Sequence, residues 1–226
     1  MEKTWVISLG GSRIVPDEVD DKFLLEFKKL IESHKSQKFV VVTGGGSTAR
    51  RYISALKKLG KNTKTQSIEG IAITRLHAKF MTKFFGKMAN EDIPLNMKKI
   101  EGLLKKNQVV FCGALRYEKK NTSDGTAAKI AGHLRCPFIN LTNVKGLYTS
   151  NPTKNKNAKF IQKITWSDFS KIANKIKYKA GQHFVLDQTA AKIIKKGKIP
   201  TYIVGSLTSI NNILKKKRFV GTLISG

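Results

Sequence analysis

The sequence predicts an α/β fold in which a parallel or mixed sheet is covered by helices on both faces. Two observations support this prediction. Short apolar runs rich in β-branched residues alternate with longer amphipathic segments along the chain, and this alternation is typical of sheets whose strands are joined by crossover helices. Two of the runs also stop at neighbouring glycines, in WVISLGGS and FVVVTGGGSTAR, as strands do when they lead into phosphate-binding loops.

The predicted elements follow one another in a regular order. Strands are predicted at 4–9, 38–43, 108–113, 137–142 and 201–205. Helices are predicted at 20–34, 46–59, 70–88, 97–105, 122–134, 166–176 and 187–196. In the first of these, the apolar residues recur at the spacing that places them on one helical face. The run NVKGLYTSNP at 143–152 is predicted to be a loop because Asn-Pro is a turn signal.

Composition limits the classes of protein to consider. With 226 residues, 40% of them apolar, the chain can bury a core in one large domain or two small lobes. No apolar run is long enough to span a bilayer, and the segment MEKTWVIS lacks the layout of a signal peptide. The two cysteines, Cys112 and Cys136, supply neither a disulfide framework nor a four-cysteine zinc site. We therefore expect a cytoplasmic protein.

The chain is strongly basic. Lysine and arginine number 43 against 15 acidic residues, which gives a formal net charge of +28. Such an excess attracts nucleic acid and other polyanions. However, it consists mainly of lysine distributed along the whole chain, and arginine, which suits bidentate phosphate recognition, is scarce. The pattern favours solvated lysine faces over a dedicated nucleic-acid-binding role, and its field draws in small anionic substrates.

The glycine loops predict an anion site. Gly10, Gly11 and Ser12 follow the first strand, and 44–46 follow the second. Glycine lets backbone N–H groups come close to an anion, and a helix that begins there adds its positive end. Because there are two such loops, we expect a site for more than one phosphate group.

Polar residues at two predicted helix starts add candidate chemistry. Thr122, Ser123 and Asp124 open one helix, and Asp187 precedes another. These residues are good N-caps, and capping alone accounts for them. A carboxylate beside phosphate-binding loops also orients a lysine or holds Mg²⁺ between phosphates. Both interpretations remain open from the sequence. The histidines at 77, 133 and 183 are expected to be packing or surface residues, because no metal-like spacing connects them.

The order of the motifs resembles the archaeal uridylate (UMP) kinases of the amino-acid-kinase superfamily, nearly from end to end. The motifs are GGS, GGGSTAR-Y, GIAITRLHA, TSDGTAA, TNVKGLYTSNP and AGQHFVLDQTAAKI. The resemblance implies a three-layer αβα sandwich with a mostly parallel central sheet. It implies a single domain over 1–226, with an acceptor-side part at about 1–135 and an ATP-side part at about 136–226. It also implies phosphoryl transfer from ATP to UMP, Mg²⁺ carried mainly by the ATP phosphates, and a homohexamer built as a trimer of dimers.

The resemblance also assigns residues to the two substrates. The ATP-binding residues would be Gly10, Gly11, Ser12, Gly46, Arg50, Thr142, Asn143, Tyr148 and Asn151. The UMP-binding residues would be Gly45, Ser67, Asn121, Thr122, Ser123 and Asp124. Asp124 and Asp187 would organise the charges around the transferred phosphoryl group. The UMP phosphate itself attacks, so we expect no side-chain nucleophile and no dedicated metal cluster.

Four positions depart from the family pattern. Ser67, Lys145 and Asn151 stand where the family usually has acids, and the segment 113–124, GALRYEKKNTSD, is longer than its family counterpart. Ser67 and this segment both lie on the acceptor side. Two alternatives therefore remain: a kinase of the same fold for another small anionic acceptor, and a basic nucleotide- or nucleic-acid-binding regulator with weak catalysis.

Overall fold

The computed structural model describes residues 3–119, 121–150, 155–175 and 186–226. The strands in the described ranges are β1 Lys3–Leu9, β2 Gln37–Thr43, β3 Val109–Cys112, β4 Phe138–Leu141, β5 Leu147–Tyr148, β6 Phe160–Ile161, β7 Lys163–Ile164, β8 Thr201–Val204 and β9 Thr222–Ile224. The helices in the same ranges are α1 Gly11–Ile14, α2 Asp21–Glu32, α3 Gly46–Lys58, α4 Thr63–Phe85, α5 Met97–Lys106, α6 Ser123–His133, α7 Trp166–Lys175, α8 Gln188–Gly197 and α9 Leu207–Leu214. A single 3₁₀ turn, Gly86–Met88, follows α4.

Seven strands form one sheet in the order β3-β2-β1-β4-β8-β9-β7. The five strands from β3 to β8 are mutually parallel, with Val6 of β1 opposite Val40 on one side and Phe138 on the other. The strand β9 runs antiparallel to β8, and β5 and β6 form a separate antiparallel pair. The prediction of a mostly parallel α/β sheet is confirmed.

Helices cover both faces of this sheet, which makes three layers. Successive residues of the central strands point to opposite faces, so that Val6 packs in one core and Ile7 in the other. Residues of α5, α6, α7 and α8 fill the first core, and residues of α2, α4 and α9 fill the second. Burial on both faces explains why the strand segments are continuous apolar runs rather than alternating ones.

The parallel arrangement gives the sheet two distinct edges. We call the edge at which β1, β2, β3, β4 and β8 end the carboxyl edge, and the opposite one the amino edge. At the carboxyl edge the five strands lead directly into Gly10, Gly44, Gly113, Thr142 and Gly205. Ligands of open α/β sheets bind beyond this edge, because the connecting loops and the helix N-termini gather there.

Several elements differ from the sequence-based expectation. The helix α4 begins at Thr63 rather than near residue 70, because the Asn62 side chain accepts a hydrogen bond from the Thr65 backbone N–H and caps it. The loop predicted at 143–152 contains β5, which pairs with β6. The elements α1, α9, β6, β7 and β9 were not predicted. They have two to eight residues each, too few for a periodicity to be seen.

Both cysteines are free and buried. Burial raises the pKa of each thiol, that of Cys112 and that of Cys136, to about 12. They are therefore packing residues rather than nucleophiles. Within the residues that the structure describes, no helix combines the length and the apolar composition needed to cross a membrane.

Candidate active site

The two glycine loops touch each other at the carboxyl edge. A Cβ atom on Gly11 would lie 2.4 Å from the Gly44 carbonyl oxygen and 2.5 Å from the Gly46 nitrogen. A Cβ atom on Gly46 would lie 2.5 Å from the Ser12 nitrogen, and Gly46 itself has a φ of +59°. Only glycine fits such an approach. The two glycine loops are apart in the sequence but form one continuous surface of backbone atoms.

Side chains of α4 hold these loops in place. The His77 Nδ1 atom lies 2.8 Å from the Gly44 carbonyl oxygen. The Thr74 hydroxyl accepts a hydrogen bond from the Ala114 backbone N–H, at 3.0 Å. Arg75 donates from Nε to the Ala114 carbonyl and from Nη2 to the Leu115 carbonyl, at 3.0 and 2.7 Å. Side chains of the segment GIAITRLHA therefore hold the loops at the ends of β2 and β3 in position. His77 is buried, as expected for a packing histidine.

Arg13 ties the first glycine loop to the loops that follow β4 and β8. Its Nη2 atom donates to the carbonyl of Thr142, after β4, at 2.9 Å, and to that of Gly205, after β8, at 2.6 Å. Sequence reasoning did not identify Arg13, because its partners are more than a hundred residues away in the chain. The bonds fix where the loops after β1, β4 and β8 lie relative to one another.

Two carboxylates stand side by side at the starts of α6 and α8. The Asp124 carboxylate accepts a hydrogen bond from the Ser8 hydroxyl of β1, at 2.6 Å. The Asp187 carboxylate accepts from the Thr122 hydroxyl and from the backbone N–H groups of Thr189 and Ala190. Thr122 in turn caps α6 by accepting from the Gly125 N–H, at 3.0 Å. The capping interpretation therefore holds for Thr122 and Asp187, whereas Asp124 faces Ser8.

The protonation of Asp124 is unusual. Burial first, and the neighbouring Asp187 carboxylate second, raise its pKa to about 7 against the lowering effect of the Ser8 hydrogen bond. Strongly shifted carboxylates in a cleft are typical of functional sites. The direction has a simple cause, since burial disfavours the charged form of the carboxyl and the Asp187 charge disfavours it further.

The predicted ATP-side residues fall into three places. Gly10, Gly11, Ser12 and Gly46 lie in the touching loops. Thr142 and Asn143 follow β4 at the same edge, and the Tyr148 ring packs edge-on against Phe160, with 5.4 Å between centroids. Asn151 lies outside the described residues.

Arg50 lies one turn into α3 and is exposed. It lines an open groove of about 480 Å³. The groove continues along α3 past Arg51, Ser54 and Lys58. Arg50 thus presents its charge on an outer face of α3 that starts beside the glycine loops.

The predicted UMP-side residues also differ in their surroundings. Gly45 packs against Ala49 and faces Gly70 and Thr74 of α4. The Ser67 hydroxyl donates to the Thr63 carbonyl of its own helix, at 2.8 Å. The hydroxyl oxygen of Ser123 lies 3.5 Å from the position that a Cβ atom would take on Gly44.

The Asn121 side chain turns toward α6. Its amide donates to the Thr126 hydroxyl at 3.2 Å, and its carbonyl oxygen packs against Gly125. The loop before it is anchored by Glu118, which pairs with Lys129 of α6 and, at 3.4 Å, with Arg116. The hydrogen bond from Lys129 lowers the pKa of Glu118. Asn121 and Glu118 thus fix the path of the longer 113–124 segment.

The donor set suits a cation that arrives with phosphates. Among the residues that the structure describes, no three His, Cys, Asp or Glu side chains form a metal-binding group. Asp124 and Asp187 together supply carboxylate oxygens next to the glycine loops. Mg²⁺ is commonly held by one or two carboxylates plus substrate phosphates, so this pair fits it.

Comparison with known proteins places these features in context. The sequence model described as "Amino acid kinase family" matches residues 3–205. Uridylate kinase from Thermococcus onnurineus is 35% identical over 97% of this chain and 98% of its own length. Uridylate kinase from Archaeoglobus fulgidus is 36% identical over 97% and 99%.

Solved structures agree. The crystal structure of the Archaeoglobus fulgidus uridylate kinase superposes with a TM-score of 0.85 at 34% identity and covers 98% of this chain and 99% of that one. UMP kinase from Bacillus anthracis superposes with a TM-score of 0.83 at 19% identity, over 99% and 96%. That second likeness concerns the fold alone.

Proposed function

We propose that this chain, which belongs to the amino acid kinase family, is a uridylate kinase that transfers the γ-phosphoryl group of ATP to UMP and forms UDP. Two archaeal relatives that carry this name match nearly the whole chain at 35% and 36% identity. The observation that carries the proposal is the contact between the two glycine loops beside Asp124 and Asp187.

Phosphoryl transfer needs positioning and charge stabilisation more than covalent chemistry. The backbone N–H groups of the two loops supply donors for phosphate oxygens. The helices α3, α6 and α8 begin at the same edge, so that their positive ends face the space between the loops. The loop after β1 and the ATP-side residues Thr142, Asn143 and Tyr148 would hold ATP, whereas Gly45, Ser123 and the 113–124 segment would hold UMP. The phosphate of UMP attacks the γ-phosphorus directly.

The chain's own carboxylates organise the charge at this centre. Asp124 and Asp187 would hold Mg²⁺ together with the ATP phosphates, and the cation supplies neutralisation of the phosphate oxygens when it is bound. Ser8 keeps the Asp124 carboxylate oriented, and the capping bonds of α8 do the same for Asp187. Arg13 fixes the loop after β1 relative to the loops after β4 and β8.

An acceptor panel tests this proposal. ADP release from ATP with Mg²⁺ is measured with UMP, CMP, dUMP and small phosphorylated or carboxylated acids. We expect UMP to give the highest kcat/KM. No turnover with UMP at millimolar concentration would refute the acceptor, and no turnover with any member would favour a regulator with weak catalysis.

A second candidate, a kinase for another small anionic acceptor, has one specific observation in its favour. Ser67 has no carboxylate for ribose hydroxyls at this position, and its hydroxyl bonds within its own helix. Charge-assisted hydrogen bonds are roughly twice as strong as neutral ones. A clear preference for another member of the panel would support this candidate.

We also propose a homo-oligomer, with a hexamer built as a trimer of dimers, that acts in the cytoplasm. In support, α4 exposes Ile68, Leu76 and Phe80 at fractions of 47%, 57% and 36%. Leu76 and Phe80 are four residues apart and therefore share one helical face. Exposed apolar stripes mark protein interfaces. The free cysteines agree with a reducing compartment.

A further inference from the structure

Three cations occupy backbone positions that usually require glycine. In the described residues, the only non-glycine residues with positive φ are Arg135, Lys198 and Lys216, at 50°, 46° and 56°. Each stands at the end of a helix, namely α6, α8 or α9. Glycine is the common residue there because a Cβ atom disfavours the left-handed conformation. The helices α3 and α4 follow that rule, with positive-φ glycines after them.

These three cations lie on the amino edge, opposite the candidate active site. Arg135 and Lys198 come three residues before Phe138 of β4 and Thr201 of β8, which face each other in the sheet. Lys216 follows α9, whose Asn211 side chain lies 3.0 Å from the His34 ring at the end of α2. All three helices run back from the carboxyl edge and end at the amino edge, α6 and α8 on one face of the sheet and α9 on the other.

More exposed cations surround them. They are Lys195, Lys196, Lys215, Lys217 and Arg218. We call these five and the three left-handed residues the amino-edge basic surface. No acidic residue follows Asp187 in the sequence, so the parts contributed by α8 and α9 contain no carboxylate. Nearby helices contribute two acids, Glu32 at the end of α2 and Glu101 in the middle of α5, and Glu101 is paired with His133.

A cation near a helix C-terminus is favourable by itself, because it opposes the helix dipole. That effect does not require the cation to take the left-handed position, since a lysine one turn earlier provides it without backbone strain. At three helix ends a cation is present although its left-handed backbone conformation costs free energy. Strain of this kind is typical of functional surfaces.

We propose that the amino-edge basic surface binds the phosphate backbone of nucleic acid. Six of its eight members are lysines, which act as point charges for phosphate and do not read bases. A membrane surface fits less well, because membrane docking requires apolar side chains beside the cations. The large apolar side chains exposed in the described residues lie mainly on α2, α3 and α4, and only Val220 follows this surface closely in the chain. The inference goes beyond the proposed kinase activity and does not depend on it. It also revises the expectation that the lysines are merely solvated.

The test measures, by fluorescence anisotropy, how tightly the full-length protein binds a short fluorescein-labelled DNA duplex. The affinity is measured over a range of salt concentrations, and again with saturating ATP. The variant is R135G/K198G/K216G, because glycine removes the charge and suits the backbone. The matched control is K57Q/K58Q/K61Q, which removes three exposed charges around the end of α3. We expect the glycine variant to bind about tenfold more weakly and to reduce the log–log salt slope by about three, one for each lost phosphate contact. The control should change the affinity less than about twofold, and ATP should not compete.

The thermal melting temperature of the glycine variant should stay the same or rise, which separates lost binding from lost folding. Equal loss of affinity in both variants would show a diffuse charge effect and overturn the proposal. Competition by ATP would move the binding to the candidate active site and also overturn it. Tighter binding to phosphatidylglycerol vesicles than to the duplex would point to a membrane surface instead.

Discussion

Ser8 illustrates how one buried residue sets the chemistry of another. It is 2% exposed in the middle of the sheet, and its hydroxyl donates to Asp124, which lies 116 residues further along the chain. The bond lowers the pKa of Asp124 against burial and the Asp187 charge. Neither the motif order nor the periodicity predicts this pair, because strand residues at such a position are ordinarily apolar.

Replacing Ser8 by alanine therefore shifts the pH profile. We expect the pKa of Asp124 to rise, so the acidic limb of kcat/KM against pH moves up by about one unit. Activity is lost near pH 7 and recovers near pH 9. The control Ser170→Ala changes a buried serine of α7. An S8A profile that matches the wild type would contradict the role given to Ser8.

Asp124→Asn tests the cost of the paired carboxylates. The pKa of Asp124 is about 7 in the folded protein against an ordinary value of 3.8, so the folded state binds the proton more tightly. Its ionisation consequently destabilises the protein as pH rises from about 4 to about 7. We expect D124N to raise the free energy of unfolding at pH 8 by about 1–3 kcal/mol, and to lose this advantage below pH 4.

Urea denaturation at both pH values measures the effect. Kinase activity should fall by at least about a hundredfold in the same variant, because the charge around the transferred phosphoryl group is lost. A variant that is less stable at pH 8 than the wild type would show that the Asp124 charge is not costly there.

At the scale of elements, the contact between the glycine loops decides which glycines tolerate a side chain. A Cβ atom on Gly11 would meet three backbone atoms at 2.4–2.6 Å, whereas one on Gly10 would have its nearest neighbour at 3.8 Å. We expect Gly11→Ala to cost more than about 3 kcal/mol of stability and Gly10→Ala less than about 1 kcal/mol. Chemical denaturation of the two variants makes the comparison, and equal losses would contradict the geometry.

The helix α4 holds the loop after β3, which we propose binds UMP, through Arg75. Arg75→Met removes both hydrogen bonds to the 114–115 carbonyls but keeps an unbranched apolar stem. We expect the KM for UMP to rise about tenfold and the KM for ATP to change less than about twofold, since only the acceptor loop is loosened. Steady-state kinetics with each substrate varied in turn separates the two. A larger effect on ATP would assign Arg75 to the donor side instead.

Most long elements were predictable because their signals are local. The two glycine loops, the amphipathic helix α2 and the capped starts of α6 and α8 each show in a few consecutive residues. The short strands β7 and β9 were not, since they are defined by pairing between distant segments: β9 pairs with β7 and β8, and its Thr222 hydroxyl accepts from the Leu147 N–H of β5. The same holds for Arg13, whose role depends on the positions of β4 and β8.

At the scale of the whole molecule, copies of a protein with a net charge of +28 repel one another. Self-association therefore requires an attractive contribution that outweighs this repulsion. The exposed stripe on α4 provides apolar area for this. We expect Leu76→Lys with Phe80→Lys to lower the mass measured by sedimentation, and Leu25→Lys, which changes an exposed leucine of α2, to leave it unchanged. Unaltered mass in the α4 variant would exclude this face as the interface.

The central claim is that the carboxyl edge of the sheet holds ATP and UMP together for direct phosphoryl transfer. The most direct measurement is the formation of UDP from UMP and ATP with Mg²⁺, resolved by anion-exchange chromatography, for the wild type and for D124N. We expect UDP and ADP in equal amounts from the wild type and almost none from D124N. ADP without UDP, or undiminished UDP from D124N, would contradict the account.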